Sequence, residues 1–308
     1  MIHYARSIAA IPYVRRGLPT RGLPAHLWIT AGAFTLICLL TSTRLSATAA
    51  GGDPFRYRTG LRNSPGERGL NAKQMDAVLT SLREKAGFLE MAFDENGFLT
   101  LGDQTKFSGG SATARALLDA TIKMPHVVDM ESHLYSAQVA FARLGRPVAY
   151  QNYSSGKKID VFPLEIDFSD LSKLRGDRQA LTAFDLGFMI LHELGHAALG
   201  LRDTSGDPQG LGECEAMINR IRRDLDMPER QTYVAQISSA PSFSPTHAPV
   251  KQAELLFSRA VEKQGRMQIE RYNLRWEASK VGPVTDLSDQ SIAKARNARS
   301  IAPTTAGQ

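Results

Sequence analysis

In the stretch FMILHELGHAALGLRD, residues 188–203, three side chains are suited to metal chemistry: His192, Glu193 and His196. Positions four apart lie on one face of a helix, so both imidazoles are presented to one point. The preceding run LGFMIL (186–191) is apolar all round, which predicts a buried helix. Burying two imidazoles and a carboxylate without partners costs several kcal/mol. A zinc ion about 2 Å from each ring nitrogen supplies the partner. Glu193 is expected to hold the attacking water and take its proton rather than to ligate. Gly195 and Ala197 are small and leave room beside the ion. The bland alternative is a core helix whose histidines are satisfied by backbone and neighbouring side chains.

A zinc site of this kind needs a third protein ligand. In the metzincin pattern H-E-x-x-H-x-x-G-x-x-H/D, the glycine would be residue 199 and the ligand residue 202; here these are Leu199 and Arg202. Gly200 and Asp203 come one residue late, and one residue turns a helix by about 100°. The gluzincin alternative takes a glutamate from a following helix. GECEAMINRIRRDL (212–225) provides one, with Glu213 and Glu215 lying 17 and 19 residues after His196. Glu215 is the expected ligand and Glu213 the next candidate; Asp203, Asp207 or no protein ligand remain open. Asn219, one turn beyond Glu215, is expected to hydrogen-bond a liganding imidazole. Cys214 falls in the apolar stripe with Met217, Ile218, Ile221 and Leu225, while Arg220, Arg222 and Arg223 read as a solvated face. Asp185 is expected to cap the helix start.

The elements that must position these groups are readable from periodicity and punctuation. Residues 51–75 are rich in Gly, Pro and Arg and read as a linker. Helices are predicted over 72–85, 111–124 (capped by Ser111, stopped at Pro125), 178–199 and 213–225. A hairpin is predicted around Asn96-Gly97. Strand-like patterns run from Val127 to Phe168, with a turn at 154–158. Pro163 argues that the segment 161–168 is an edge strand, and so a rail on which a peptide could add as a further strand. The Ser/Pro stretch after Tyr233 reads as a connector, followed by two strands around Gly265. The last residues, 283–308, are polar and small and read as disordered.

The formal net charge is +6, but the first 50 residues hold five arginines and no lysine or acid. The rest carries 37 less 5, or 32, basic residues against 31 acidic ones, so no nucleic-acid footprint is present. The basic start, the apolar run Leu27–Leu40 and the small residues SATAA read as an export signal, with an inner-membrane anchor over 27–42 as the alternative. Export implies a periplasmic or secreted protein. With only Cys38 and Cys214, no disulfide framework and no cysteine-based metal site are expected.

The block from His192 to Tyr233 resembles that of bacterial zincin-like metallopeptidases, including effector metallopeptidases and related exported proteins and toxin domains. The likeness rests on the H-E-L-x-H helix and on Asn219, Arg222, Leu225, Pro228, Arg230 and Tyr233. It is specific over 182–234 and does not reach the C-terminal hairpin. The resemblance implies a zincin fold, a zinc ion and hydrolysis of a peptide or protein substrate. It also suggests Tyr233 as a donor to the oxyanion of the tetrahedral intermediate. The expected architecture is α+β, with a mixed sheet over the helix bearing His192 and His196 in a domain over 76–235. A connector and β-hairpin follow over 236–282. The expected activity is that of a zinc metalloendopeptidase; the alternative is a non-catalytic zinc-binding or cell-envelope binding module.

Overall fold

The computed structural model describes residues 58–151, 158–204, 210–241 and 249–282. The export segment, the turn at 154–157, Asp207 and the tail lie outside the described residues. The chain runs β1 (Gly60–Asn63), α1 (Ala72–Ala86), β2 (Ala92–Phe93), β3 (Leu99–Thr100), α2 (Ala112–Lys123), β4 (Val127–His133). It continues with β5 (Ala142–Leu144), β6 (Val148–Gln151), β7 (Lys158–Asp167), α3 (Phe168–Leu171), β8 (Arg175–Gly176), α4 (Arg178–Ala183). Then come α5 (Leu186–Leu199), α6 (Gly212–Asp224), β9 (Glu229–Arg230), β10 (Gln236–Ala240), β11 (Val250–Lys263) and β12 (Arg266–Glu277). The fold is mixed α+β. Among the described residues no helix is long and apolar enough to cross a membrane.

The first sheet is mixed. β1, β4 and β7 run parallel, and the far side of β7 pairs antiparallel with β5 and β6 in succession. β7 is therefore an interior strand, which corrects the edge assignment made from Pro163. The proline is tolerated because its missing N–H falls in the gap between β5 and β6, where its carbonyl accepts the Gly145 N–H at 2.7 Å. The short β5 forms the edge beside α5. On the inner face Val128, Met130, Leu164 and Ile166 pack against α1, α2, α5 and α6 in the main core. On the other face Arg62 holds Asp129 with a buried two-pronged ion pair at 2.6 and 2.7 Å.

The linker assignment for 51–75 is also corrected. Residues 60–63 form β1 with Leu61 fully buried, and Asn71 caps α1 with a reciprocal Asn71–Gln74 capping box. Between β1 and α1, Gly66 takes positive φ and its carbonyl accepts the Gly69 N–H, which shapes the bend into the helix. Ser111 caps α2 as expected.

The second sheet is antiparallel, in the order β10-β11-β12-β8, with β9 also on β11. Its long hairpin turns at Gln264-Gly265, both with positive φ. This hairpin is not an appendage to a domain ending at 235. Leu255, Phe257, Leu274 and Trp276 form a second core with Phe184 of the α4–α5 break and Met189 of α5. The predicted helix 178–199 is broken at Phe184–Asp185, where the Asp185 carboxylate accepts the Phe188 N–H and pairs with buried Lys85 at 2.5 Å. α5 thus lies between two cores, which is why its first turns are apolar on all sides.

Leu61→Ala is expected to lower unfolding stability by about 2–5 kcal/mol, the cost of a large-to-small change in a packed core. A urea melt checks this; a linker residue would shift it by less than about 0.5 kcal/mol.

Candidate metal centre

α5 carries His192, Glu193 and His196, and its C-terminal stop decides what faces them. Gly200 ends the helix in the left-handed conformation at φ 64°, its N–H bonding His196 O and the Leu201 N–H bonding Gly195 O. The chain then doubles back. Arg202 is pinned to the start of α6, its carbonyl accepting the N–H groups of Glu213 and Cys214 and its own N–H bonding Glu213 Oε2 at 3.1 Å. Gly212, with φ 72°, lets the two segments close, since a Cβ there would fall 2.6 Å from the Asp203 carbonyl carbon.

This turn brings Asp203 to the two histidines. Asp203 Oδ1 lies 3.2 Å from His192 Nε2, Asp203 Oδ2 lies 3.4 Å from His196 Nε2, and the two ring nitrogens are 3.3 Å apart. The other nitrogen of each ring is committed. His196 Nδ1 donates to Leu201 O at 2.7 Å, and His192 Nδ1 faces Glu215 Oε2 at 3.4 Å. A carbonyl and an ionised carboxylate only accept, so each neutral ring keeps its proton on Nδ1 and turns a bare Nε2 lone pair inward. Asp203 Oδ1 is buried and has no hydrogen-bond partner. Three acceptors facing one another call for positive charge among them, which a metal ion or a proton on an imidazole supplies. Donors about 2.0–2.1 Å from a tetrahedral ion stand about 3.3 Å apart, the spacing seen here. The side chains therefore fit a metal ion.

The electrostatics make the same demand for positive charge. Burial opposes charging His192, but Asp203, Cys214 and Glu215 outweigh it and hold its pKa well above the ordinary value. Asp203 also raises His196. Burial opposes ionisation of Asp203, yet the two histidines keep its carboxyl far below the usual range.

Glu215 is thus not beside the Nε2 pair, which corrects its expected place, and neither is Glu213, which is exposed and caps the Arg202 turn. Glu215 is buried at the Nδ1 side of His192. Burial works against its charge, and Arg222 (2.5 Å) and Arg230 (3.1 Å) overcome it, keeping it ionised. Arg222 is accordingly not on a solvated face: it is 1% exposed and lies near the rings of Phe188 and Phe257. Asn219 bonds Arg222 and the backbone of Arg230 rather than an imidazole. Gly195 is small for packing rather than for an ion, since a Cβ there would meet Cys214 Sγ at 2.8 Å.

Cys214 Sγ also comes within 4.8 Å of the histidine nitrogens, so His192, His196 and Cys214 form a group able to hold a metal ion. Asp203 lies nearer to the two Nε2 atoms, while the Cys214 thiol donates to His192 O at 2.9 Å. A second group, Glu131, His133 and Glu165, sits on neighbouring strands of the first sheet and was not foreseen. There Arg68 and Arg143 already pair with Glu131 and Glu165.

Glu193 points toward β5, its Oε2 accepting the Leu144 N–H at 2.8 Å. Burial pushes its carboxyl above the usual range, against the pull of His192 and His196. Tyr233 stacks on His192 with ring centres 5.9 Å apart and bonds Asp203 through its hydroxyl. Burial and Asp203 raise its pKa, so it remains a neutral donor. Searches against protein-family models, curated proteins and solved structures find no match to this chain.

In zinc titration calorimetry, Asp203→Ala is expected to weaken binding by more than about 100-fold and Glu215→Gln by about 10–100-fold, the range for partners that orient a ligand. Glu213→Ala should leave affinity nearly unchanged. Arg222→Met should cost up to about 3–5 kcal/mol of stability in a denaturant melt, because it removes one of the two guanidinium partners of a buried carboxylate.

Proposed function

We propose that the protein is a zinc-dependent peptide hydrolase with a zincin-like site, in which His192, His196 and Asp203 hold the ion. The observation that carries the reading is the convergence of the two Nε2 atoms and the Asp203 carboxylate next to the buried carboxylate of Glu193. Zinc, when bound, supplies Lewis acidity toward a water molecule and a substrate carbonyl. The remaining work falls to the chain. Glu193 accepts the proton of the attacking water and delivers it to the leaving amine. The Leu144 N–H orients that carboxylate. Tyr233, a neutral phenol beside the histidines, donates toward the oxygen on which charge develops. Glu215, held ionised by Arg222 and Arg230, fixes the tautomer and orientation of His192.

The free edge of β5 replaces β7 as the rail for an extended peptide. Residues 141 and 145 bond back to β7, while the Leu144 N–H faces Glu193. The carbonyls of Ala142 and Leu144 share that orientation and are placed to accept from a substrate strand, while their N–H groups are taken by Ala140 O and Glu193. The apolar run within residues 1–50 remains consistent with export, so a substrate in the periplasm or outside the cell is part of the proposal. The resemblance over 182–234 and this geometry point the same way: the glycine-to-aspartate spacing of the H-E-x-x-H…G-x-x-D pattern is kept, and only the helix is one residue longer.

Glu193→Gln is expected to keep zinc stoichiometry by metal analysis while lowering cleavage of a peptide library by at least about 100-fold. Chelation should abolish the wild-type activity and zinc restore it. Equal cleavage by wild type and variant would sink the catalytic assignment. Zinc tightly bound with no cleavage by either protein would favour a binding module.

A further inference from the structure

The face of the first sheet that turns away from α5 carries a second group of donors. In the parallel pairing of β4 with β7, Glu131 stands opposite Glu165, and His133 lies two residues further along β4. Side chains alternate along a strand, and the inner set is Met130, Leu164 and Ile166, so Glu131, His133 and Glu165 share the outer face. One donor atom from each lies within 4.8 Å of the others. β4 and β7 are both interior strands, so strand register holds the three residues together.

The charges on this face are incompletely matched. Two residues before Glu131, Asp129 is held by both prongs of Arg62. Glu131 is 6% exposed, yet its cation is Arg68, whose side chain is 75% exposed and reaches Oε2 at 3.3 Å. Burial raises the Glu131 carboxyl above the usual carboxylate range, and Arg68 offsets this only in part. Arg143 of β5 donates to Glu165 Oε2 through two N–H groups at 2.5 and 2.8 Å, while Oε1 faces His133 Nε2 at 3.7 Å. That distance is too long for a hydrogen bond. His133 Nε2 is buried and has no hydrogen-bond partner. An imidazole nitrogen shielded from water and aimed at a carboxylate oxygen it does not bond is a ligand atom without its ion.

We propose that Glu131, His133 and Glu165 form a second metal site, which takes a divalent first-row ion such as zinc and ties β4 to β7. One imidazole and two carboxylates are a donor set that these ions accept, with water completing the coordination. Donors about 2.0–2.2 Å from an ion stand about 3.3 Å apart, so the side-chain tips close by about 0.5–1.5 Å while the paired strands stay in place. Arg143 stays on Glu165 Oε2 and orients that carboxylate. Arg68 is the group that yields, because its long, exposed contact is the one an ion replaces. The site shares no residue with the α5 centre, and α5 packs on the opposite face of the sheet. It does not depend on the hydrolytic reading. An ion here stiffens β7, the strand against which β5 and its Leu144 N–H are built.

The test is a zinc count on the full-length chain, dialysed at micromolar free zinc and analysed for bound metal. It is run in the Asp203→Ala background, so that the α5 centre is weakened. Adding His133→Gln, or separately the isosteric Glu131→Gln, should remove one equivalent of zinc. Free zinc about ten-fold above the dissociation constant should raise the melting temperature of Asp203→Ala by about 3–6 °C and that of the His133→Gln double variant by less than about 1 °C. Arg68→Gln in the same background should bind this equivalent about 2–5-fold more tightly, because a competing cation is gone. If wild type and Asp203→Ala bind the same single equivalent and His133→Gln removes it, the α5 centre fails and the sheet site stands. A zinc count unchanged by both His133→Gln and Glu131→Gln, or no tighter binding in Arg68→Gln, overturns the site and leaves an ion-pair network.

Discussion

Two imidazole nitrogens and a carboxylate stand within 3.4 Å of one another, and each group is anchored from behind. His196 is anchored by its bond to Leu201 O, on the turn that ends its own helix. His192 faces Glu215 on the next helix. Asp203 is delivered by a chain reversal that depends on Gly200 stopping α5 and on Gly212 letting α6 approach. The turn, the helix pair and the site form a single mechanical unit.

Behind that unit lies a buried cluster of one carboxylate and two guanidinium groups. Such clusters add little net stability, because desolvation cancels most of the attraction. Their contribution here is orientation. Arg222 is bonded to the carbonyl that ends α4, to Glu215 and to Asn219, tying the α4–α5 break to α6. Arg230 ties the same carboxylate to the strand leading to Tyr233. The second sheet covers this cluster with Phe257.

Local signals in the chain were read well where they act locally. The Ser111 cap, the Asp185 cap, the Gly265 turn and the amphipathic stripe of α6 all appear where periodicity and punctuation place them. Misreadings arose where pairing between distant segments decided the outcome. Residues 60–63 look like linker but gain a partner in β4, 67 residues away. Pro163 looks like an edge marker, yet it occupies a gap left by two short strands on one side of an interior strand. Arg222 looks solvated because the rings of Phe188 and Phe257 that bury it come from elsewhere in the chain.

The sequence by itself determined the donor set on α5, because four-residue spacing on an apolar helix leaves the two imidazoles and Glu193 no other arrangement. It also carried the glycine three residues before the aspartate that meets them, though counting from His196 hid it. The count that matters starts where the helix stops, and the site of that stop depends on the left-handed bonds of Gly200 and on the docking of Arg202 against α6. Only the tertiary structure could choose between Asp203 and Glu215. Both lie within reach along the chain, and the choice depends on which face of each ring the neighbouring helix leaves open.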